Sequence, residues 1–403
     1  MRLFYGWVIV SVGIIVTCIG MGSMMSLGVY LQPIAQDMGW TRAGISFTAV
    51  LAFLAMGFGS FLWGALSDRF GTRVVVLAGG VILGIGLISA SRAATLWQFQ
   101  VLFGLLVGLA AGSFYAPLTA SVTRWFTANR SLAVALVSAG MGLGSLLVAP
   151  LSRWIITNYD WRTAMLTLGA LAFALIVPAA LFIRHPPVAA LTAAAADRGA
   201  DGRDFTMSQV IRTPQFAAIS LTFFCCCAAH SGPIFHMVSY AIDCGIPAMT
   251  AATVFGTTGL ASLSGRIVCG LIADRVGAKQ TLVAGLAVQA IAVSLYIVTR
   301  GTVGFYALAA LFGLAFGGVM PLYAILVREY FGAKVMGSAF GAAAMISTLG
   351  MALGPWAGGW LFDTFGGYFW MYIGSFGIGL GAVAIAFTFR PPQRQPVVSA
   401  VPA

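Results

Sequence analysis

The stretch GALSDRFGTR (64–73) returns 206 residues later as GLIADRVGAK (270–279). Gly64, Asp68-Arg69, Gly71 and Arg73 in the first copy match Gly270, Asp274-Arg275, Gly277 and Lys279 in the second. Each copy follows a long apolar run, so each reads as a short polar connection leaving a helix. Weaker echoes keep the same order. Leu102-Phe103-Gly104 with Gly108 answers Leu311-Phe312-Gly313 with Gly317, and Gly140-Met141 with Gly144 answers Gly350-Met351 with Gly354. One unit of about half the chain is duplicated, and its parts run in the same direction both times.

The composition says what surrounds this repeat. The 403 residues are 60% hydrophobic and 8% charged, with 50 glycines and a mean hydropathy of +0.97. A soluble chain would carry roughly 25% charged residues, so a water-soluble enzyme is excluded. The net charge of +11 comes from Arg and Lys set singly between apolar runs. Nucleic-acid binding needs a basic face or tail, and none is visible. The six cysteines lie in or beside apolar runs and read as small hydrophobes. Cys225, Cys226 and Cys227 are adjacent, so they lack the spacing of a zinc site, and neither His230 nor His236 completes one. No cofactor loop or nucleophile–base constellation is legible, so no cofactor and no enzymatic activity are expected.

A membrane-spanning helix needs about 20 mostly apolar residues. Twelve such runs are expected, at 7–30, 43–66, 74–92, 97–120, 131–153, 162–183, 214–238, 250–273, 279–299, 302–326, 335–357 and 366–389. The first is too long for a signal-peptide core and reads as a retained span. The polar break 184–213 divides an N-terminal six-helix bundle (1–183) from a C-terminal one (214–389), and 390–403 form a tail. If both termini and the even-to-odd loops are cytoplasmic, fifteen basic residues lie on that side and five on the other. The positive-inside rule then places both termini in the cytoplasm. The fold expected is all-α: twelve transmembrane helices in two six-helix halves.

The loop repeat resembles the signature of the major facilitator superfamily, and the resemblance covers essentially the whole chain. It implies a transporter with a central site between the halves and helices 1 and 4 lining it. It also implies a cytoplasmic gate in which Asp68 latches helix ends in the outward-facing state, with Arg69, Arg73 and Arg124 as cationic neighbours and Asp274 and Arg275 as the repeat. WFTANRSLAVALVSAGMGLG (125–144) resembles a conserved block of the monocarboxylate transporters, matching at Trp125, Phe126, Arg130, Leu132, Ala133, Ala139, Gly140 and Gly144. A second block, ahead of helix 1, survives only as Tyr5, Gly6, Trp7 and Val8, with Arg2 where the family has an acid. The resemblance points to the bacterial monocarboxylate and oxalate/formate-like branch, and a short N-terminus without a transit segment, with an Arg/Ala-rich composition, fits a bacterial inner membrane.

Arg266 carries the most functional information. Eight residues before Asp274, it lies about 12 Å along the helix into a roughly 30 Å core. A cation at that depth costs roughly 2.5–3.5 kcal/mol and belongs in a bundle interior or a wet cavity. No acid of the second half lies at comparable depth, so the guanidinium calls for an anion, and its planar fork suits a carboxylate. Its place, four before Gly270, matches the substrate-binding arginine of the resembling family. Two departures qualify the likeness: Ser262 stands where animal members carry Asp, and Gln32 where they carry Lys. A single deep cation favours a monoanion.

Helix 7 holds His230 and His236 around Ser231-Gly232-Pro233, a pair expected to break or kink the helix. Either histidine could take the coupled proton, and His236 could also bind the carboxylate. Tyr30 and Tyr115 are further substrate-binding candidates because helices 1 and 4 line the site in the resembling family. The expected function is secondary active transport of a small monocarboxylate, such as lactate, pyruvate or a related hydroxy or aromatic acid. Proton symport and rocking alternating access by a monomer in the bilayer complete that expectation. The alternatives are an oxalate/formate-type anion exchanger and, from another class, a non-transporting carboxylate sensor. Drug efflux is disfavoured by the lack of a deep acid.

Overall fold

In hydrocarbon every backbone N–H and C=O must find its partner inside its own segment, so a chain this apolar crosses as helices. The computed structural model describes residues 4–126, 130–184, 205–332 and 335–391, and no strand occurs among them. Among the described residues, twelve helices are long and apolar enough to span a membrane. They are α1 (Tyr5–Met38), α2 (Arg42–Ser67), α3 (Thr72–Ser91), α4 (Leu96–Val122), α5 (Leu136–Asn158) and α6 (Trp161–Leu181), then α7 (Pro214–Asp243), α8 (Ala248–Val276), α9 (Ala278–Leu295), α10 (Thr302–Phe331), α11 (Ala339–Phe365) and α12 (Phe369–Phe387). Each overlaps one expected span. Several run further, because their polar ends, such as Gln32 to Asp37 of α1, project past the apolar run and stay helical. Residues 185–204 of the expected linker lie outside the described residues, as do the side chains of Asp68 and Arg124.

The repeated loop is one turn made twice. Gly71 (φ 87°, ψ 152°) ends α2 and Gly277 (φ 102°, ψ 149°) ends α8, a backbone region that only glycine occupies without strain. Each donates its N–H back four residues, to Ser67 O and to Ala273 O, both at 2.9 Å. The next helix begins at the following residue, so the second glycine of the motif is required by geometry alone.

The repeated glycines of the spans are packing devices used in matching places. Gly104 and Gly108 lay α4 on the backbone of α2 near Thr48 and Ala52, and Gly313 and Gly317 lay α10 on that of α8 at Thr258 and Ser262. Gly140 and Gly144 press α5 on α1, and Gly350 and Gly354 press α11 on α7. A methyl group at any of these positions would meet backbone atoms of the partner helix. Without a hydrophobic drive between helices in lipid, this closeness is what association rests on.

Of the expected break or kink in helix 7, no break occurs: α7 is helical from Pro214 to Asp243, with Pro233 inside it. Its neighbour α11 supports the segment: Ser231 Oγ donates to Gly350 O at 3.2 Å, and Gly232 lies against Gly354. Packing on both sides holds the backbone helical despite the missing N–H.

Candidate functional site

A cavity of about 210 Å³ lies between the first six helices and the last six. Met21, Met24, Met25 and Leu27 of α1, Ala49, Ala52, Phe53 and Met56 of α2, and Met141, Gly142 and Ser145 of α5 form one wall. The other wall is built by α7, α8, α10 and α11. Gly142 and Gly259 close the side where α5 meets α8: a Cβ on either would fall 2.6–2.7 Å from the other's carbonyl oxygen. The two halves thus touch backbone to backbone beside the cavity.

Arg266 is the one charged residue among those lining the cavity. Thr258, Ser262 and Arg266 stand four residues apart, so they form a polar stripe on one face of α8. The glycines of α10 grip that helix at Thr258 and Ser262, and so fix which face turns inward. The guanidinium Nε is buried and has no hydrogen-bond partner among the described residues. Among those residues the one ion pair is elsewhere, between Arg42 and Asp243. A half-buried guanidinium with an unpartnered Nε, beside an otherwise uncharged cavity, has the chemistry to pair with an anion.

The other expected residues are dispersed. Tyr30 is buried, one turn beyond the stretch of α1 that lines the cavity, so its ring is not in the wall. Helix α4 contributes no lining residue, because its glycines hold it behind α2. Its Tyr115 pairs with Ser138 Oγ at 2.9 Å and lies close enough to Arg266 for the two to interact electrostatically. His230 is fully buried, its ring 4.6 Å from that of the cavity residue Phe316, and its Nε2 has no partner. His236 is fully buried too, but both of its nitrogens are engaged. Nε2 donates to Pro355 O at 2.8 Å, because a carbonyl only accepts, and Nδ1 therefore accepts from Tyr368 Oη at 3.2 Å.

His236 belongs to a network that joins the halves at the end opposite the repeated loops. Arg42, at the start of α2, donates through Nη1 to Asp243 Oδ2 at 3.1 Å and to Tyr368 Oη at 2.7 Å. Gln32 of α1 donates to the other oxygen of Asp243 at 2.8 Å. The backbone N–H groups of Arg42 and Ala43 donate to the Asp363 carboxylate at 3.2 and 2.7 Å. An acid at the end of α11 thereby caps the positive N-terminus of α2 across the interface. Burial pushes the Tyr368 phenol above its ordinary pKa, so it stays protonated and keeps donating to His236. At the loop end, Arg69, Arg73, Asp274 and Arg275 are exposed and form no ion pair among the described residues.

Sequence reading missed this network. Arg42, Asp243 and Asp363 are charges at helix ends, and topology alone accounts for charges there. Only knowledge of which ends meet would have paired them.

Comparison with known proteins gives these features a setting. The family model of the Major Facilitator Superfamily matches residues 12–355 and 272–403. Monocarboxylate transporter 13 of Bos taurus is 27% identical over 400 residues, covering 97% of this chain and 92% of that protein. Monocarboxylate transporter 11 of Homo sapiens is 27% identical, covering 90% and 78%. An uncharacterized MFS-type transporter of Escherichia coli (strain K12), YhjX, is 24% identical, covering 82% of each. Among solved structures the nucleoside transporter NupG superposes with a TM-score of 0.75 at 14% identity, over 96% of this chain and 99% of that one.

Proposed function

Because the chain belongs to the Major Facilitator Superfamily, we propose that it is a secondary active transporter of small monocarboxylates, the class that runs from lactate and pyruvate to aromatic acids. The observation that carries this reading is Arg266, a cation in the wall of an otherwise uncharged cavity whose buried Nε has no partner among the described residues. The carboxylate takes both forks of the guanidinium, and that neutralisation lowers the cost of passing the loaded site through a closed state. Tyr115 lies outside the cavity wall and is bonded to Ser138, so its part is to support the surroundings of Arg266 rather than to touch the carboxylate. The names of the relatives agree with this substrate class.

The two halves rock about the Gly142–Gly259 contact and expose the cavity to one side at a time. Orientation follows the basic residues: both termini and the repeated loops are cytoplasmic, in a bacterial inner membrane, and the Arg42 network closes the outer side. The inner gate of the opposite state uses Asp68, Arg69, Arg73 and Arg124 with Asp274 and Arg275. For proton symport His236 is the better connected candidate. A proton on Nδ1 would turn that nitrogen from acceptor to donor against the Tyr368 hydroxyl that already serves Arg42, and so loosen the outer closure.

A second reading, anion exchange, draws on a separate observation: no acidic residue lines the cavity. The test is uptake of labelled monocarboxylates into proteoliposomes, with and without an inward proton gradient, wild type beside Arg266→Ala. Gradient-stimulated uptake lost in the variant is the expected result. Flux seen only with anion inside establishes exchange, and normal transport by Arg266→Ala removes the carboxylate reading.

A further inference from the structure

The cavity wall opposite Arg266 is unusual in composition. Of the 22 residues lining the cavity, six are methionines, Met21, Met24, Met25, Met56, Met141 and Met351, and four are phenylalanines. The whole chain has only 16 methionines, so more than a third of them surround this one space. General packing would scatter them. Methionine is unbranched and polarizable, fills irregular space around different apolar shapes, and makes favourable contacts with aromatic rings.

The polar lining residues are few: Ser145 of α5, Ser231 of α7, and Thr258, Ser262 and Arg266 in a stripe on α8. Ser262 stands one turn from Arg266 and Thr258 one turn further. Ser231 is occupied by its bond to Gly350 O. No lining residue is an acid, and no second cation is present among them. An ammonium group on the ligand would therefore have no counter-charge, and a second carboxylate would be buried without a partner.

Size points the same way. The cavity of about 210 Å³ equals the liquid volume of about seven waters at about 30 Å³ each, a space that lactate's roughly six closely bonded non-hydrogen atoms fill only in part and the roughly eleven of 3-phenylpropanoate fill further. A hydroxy acid of three carbons would leave its hydroxyl and the methionine wall to trapped water. An acid with a longer apolar tail removes that water and gains on burial.

We infer that the substrate is a monocarboxylate with a bulky apolar tail, an arylalkanoate or medium-chain alkanoate, its carboxylate on Arg266 and its tail among the methionines of α1, α2 and α5. This rests on the carboxylate reading above and narrows it to one end of that class. Amino acids and dicarboxylates are excluded by the same wall.

The test is equilibrium binding to the purified full-length chain in lipid nanodiscs. The probes are lactate, 3-phenylpropanoate, octanoate, phenylalanine and the uncharged 3-phenylpropanol. The expected result is that 3-phenylpropanoate and octanoate bind at least about tenfold more tightly than lactate. Phenylalanine and 3-phenylpropanol should each be weaker than 3-phenylpropanoate by a similar factor, and Arg266→Ala should lose the acids. Arg266→Gln, closer in size, replaces the alanine variant if that one does not purify as a single species. Met56→Gln combined with Met141→Gln should narrow the octanoate-to-lactate ratio at least about threefold. Lactate binding as tightly as the longer acids, still dependent on Arg266, overturns the apolar-tail inference and leaves the carboxylate reading standing. Equal binding of 3-phenylpropanol and 3-phenylpropanoate, indifferent to Arg266, overturns the carboxylate reading itself. Absence of binding by every acid overturns both.

Discussion

The two ends of the molecule carry the same kinds of residue and use them differently. At the end away from the repeated loops, Arg42, Asp243, Asp363, Gln32 and Tyr368 bind the halves to each other across the interface. At the loop end, Arg69, Arg73, Asp274 and Arg275 are exposed, and Gly64 and Gly270 have no atom close enough to meet an added methyl. The contrast teaches that an Asp–Arg pair in the sequence says nothing of when it is engaged. Among the described residues one end is tied across the halves and the other shows no such hydrogen bond or ion pair, and the cavity with Arg266 lies between them. Variants at the closed end should therefore change which state is populated, while variants within one half should change only stability.

The largest effect is expected from Asp363→Ala, which strips the acceptor from two N–H groups at the start of α2. A hydrogen bond to a charged group is worth about 1.5–3 kcal/mol, so the net loss of even one of the two should open the closed end by roughly ten- to a hundredfold. Alkylation of a cysteine at Ala49, in a background free of native cysteines, reads this from the side of the Arg42 network. An unchanged rate would mean that the network does not hold that end closed. Next comes Gly142→Val, which forces α5 off Gly259 and should reduce uptake by about tenfold or more with the protein still folded. Normal uptake would show that the halves need no close contact there.

The Arg42–Asp243 pair should matter less. It is 15% and 33% exposed, and such pairs couple by about 0.2–1 kcal/mol, so a double-mutant cycle with Arg42→Gln and Asp243→Asn should change accessibility only about two- to fivefold. A larger coupling would make this pair, rather than Asp363, the main closure.

Asp160→Ala sharpens the comparison from the other side. Asp160 caps α6 through Thr163 N–H within one half. Its loss should lower thermal stability by about 1 kcal/mol and leave accessibility unchanged. That same N–H holds the Asp160 carboxyl below the ordinary carboxylate range. Because its folded pKa is depressed, the contribution is present above the unfolded pKa of about 4 and fades as pH falls through the folded value. Thermal melts from neutral to acid pH should therefore converge for wild type and Asp160→Ala. Melts that stay apart at the acid end would show that the cap does not depend on the ionised carboxyl.

Much of this was legible in one dimension. Twelve spans follow from hydrocarbon thickness and apolar length, and each repeated glycine found a partner helix in the equivalent place of the other half. Arg266 stood out because a deep cation is too costly to be incidental. What could not be read was azimuth. Tyr30 and Tyr115 lay on the expected helices, yet which way a residue points depends on how its helix is rolled against its neighbours. The methionines were invisible for the same reason: an apolar residue facing lipid and one facing a cavity look alike in sequence. Arg42 and Asp363, 321 residues apart, needed the third dimension altogether.

The contact between Gly142 and Gly259 falls at the thirteenth of 29 residues in the helix Arg130–Asn158 and the twelfth of 29 in Ala248–Val276. In the rocking proposed above it would serve as a fulcrum near the middle of two long beams. With arms of roughly 15 Å in a roughly 30 Å core, a tilt of roughly 20° carries each end about 5 Å. In that proposed rocking, the displacement exceeds the length of any hydrogen bond in the Arg42 network, so a fully closed loop end and an intact Arg42 seal exclude each other.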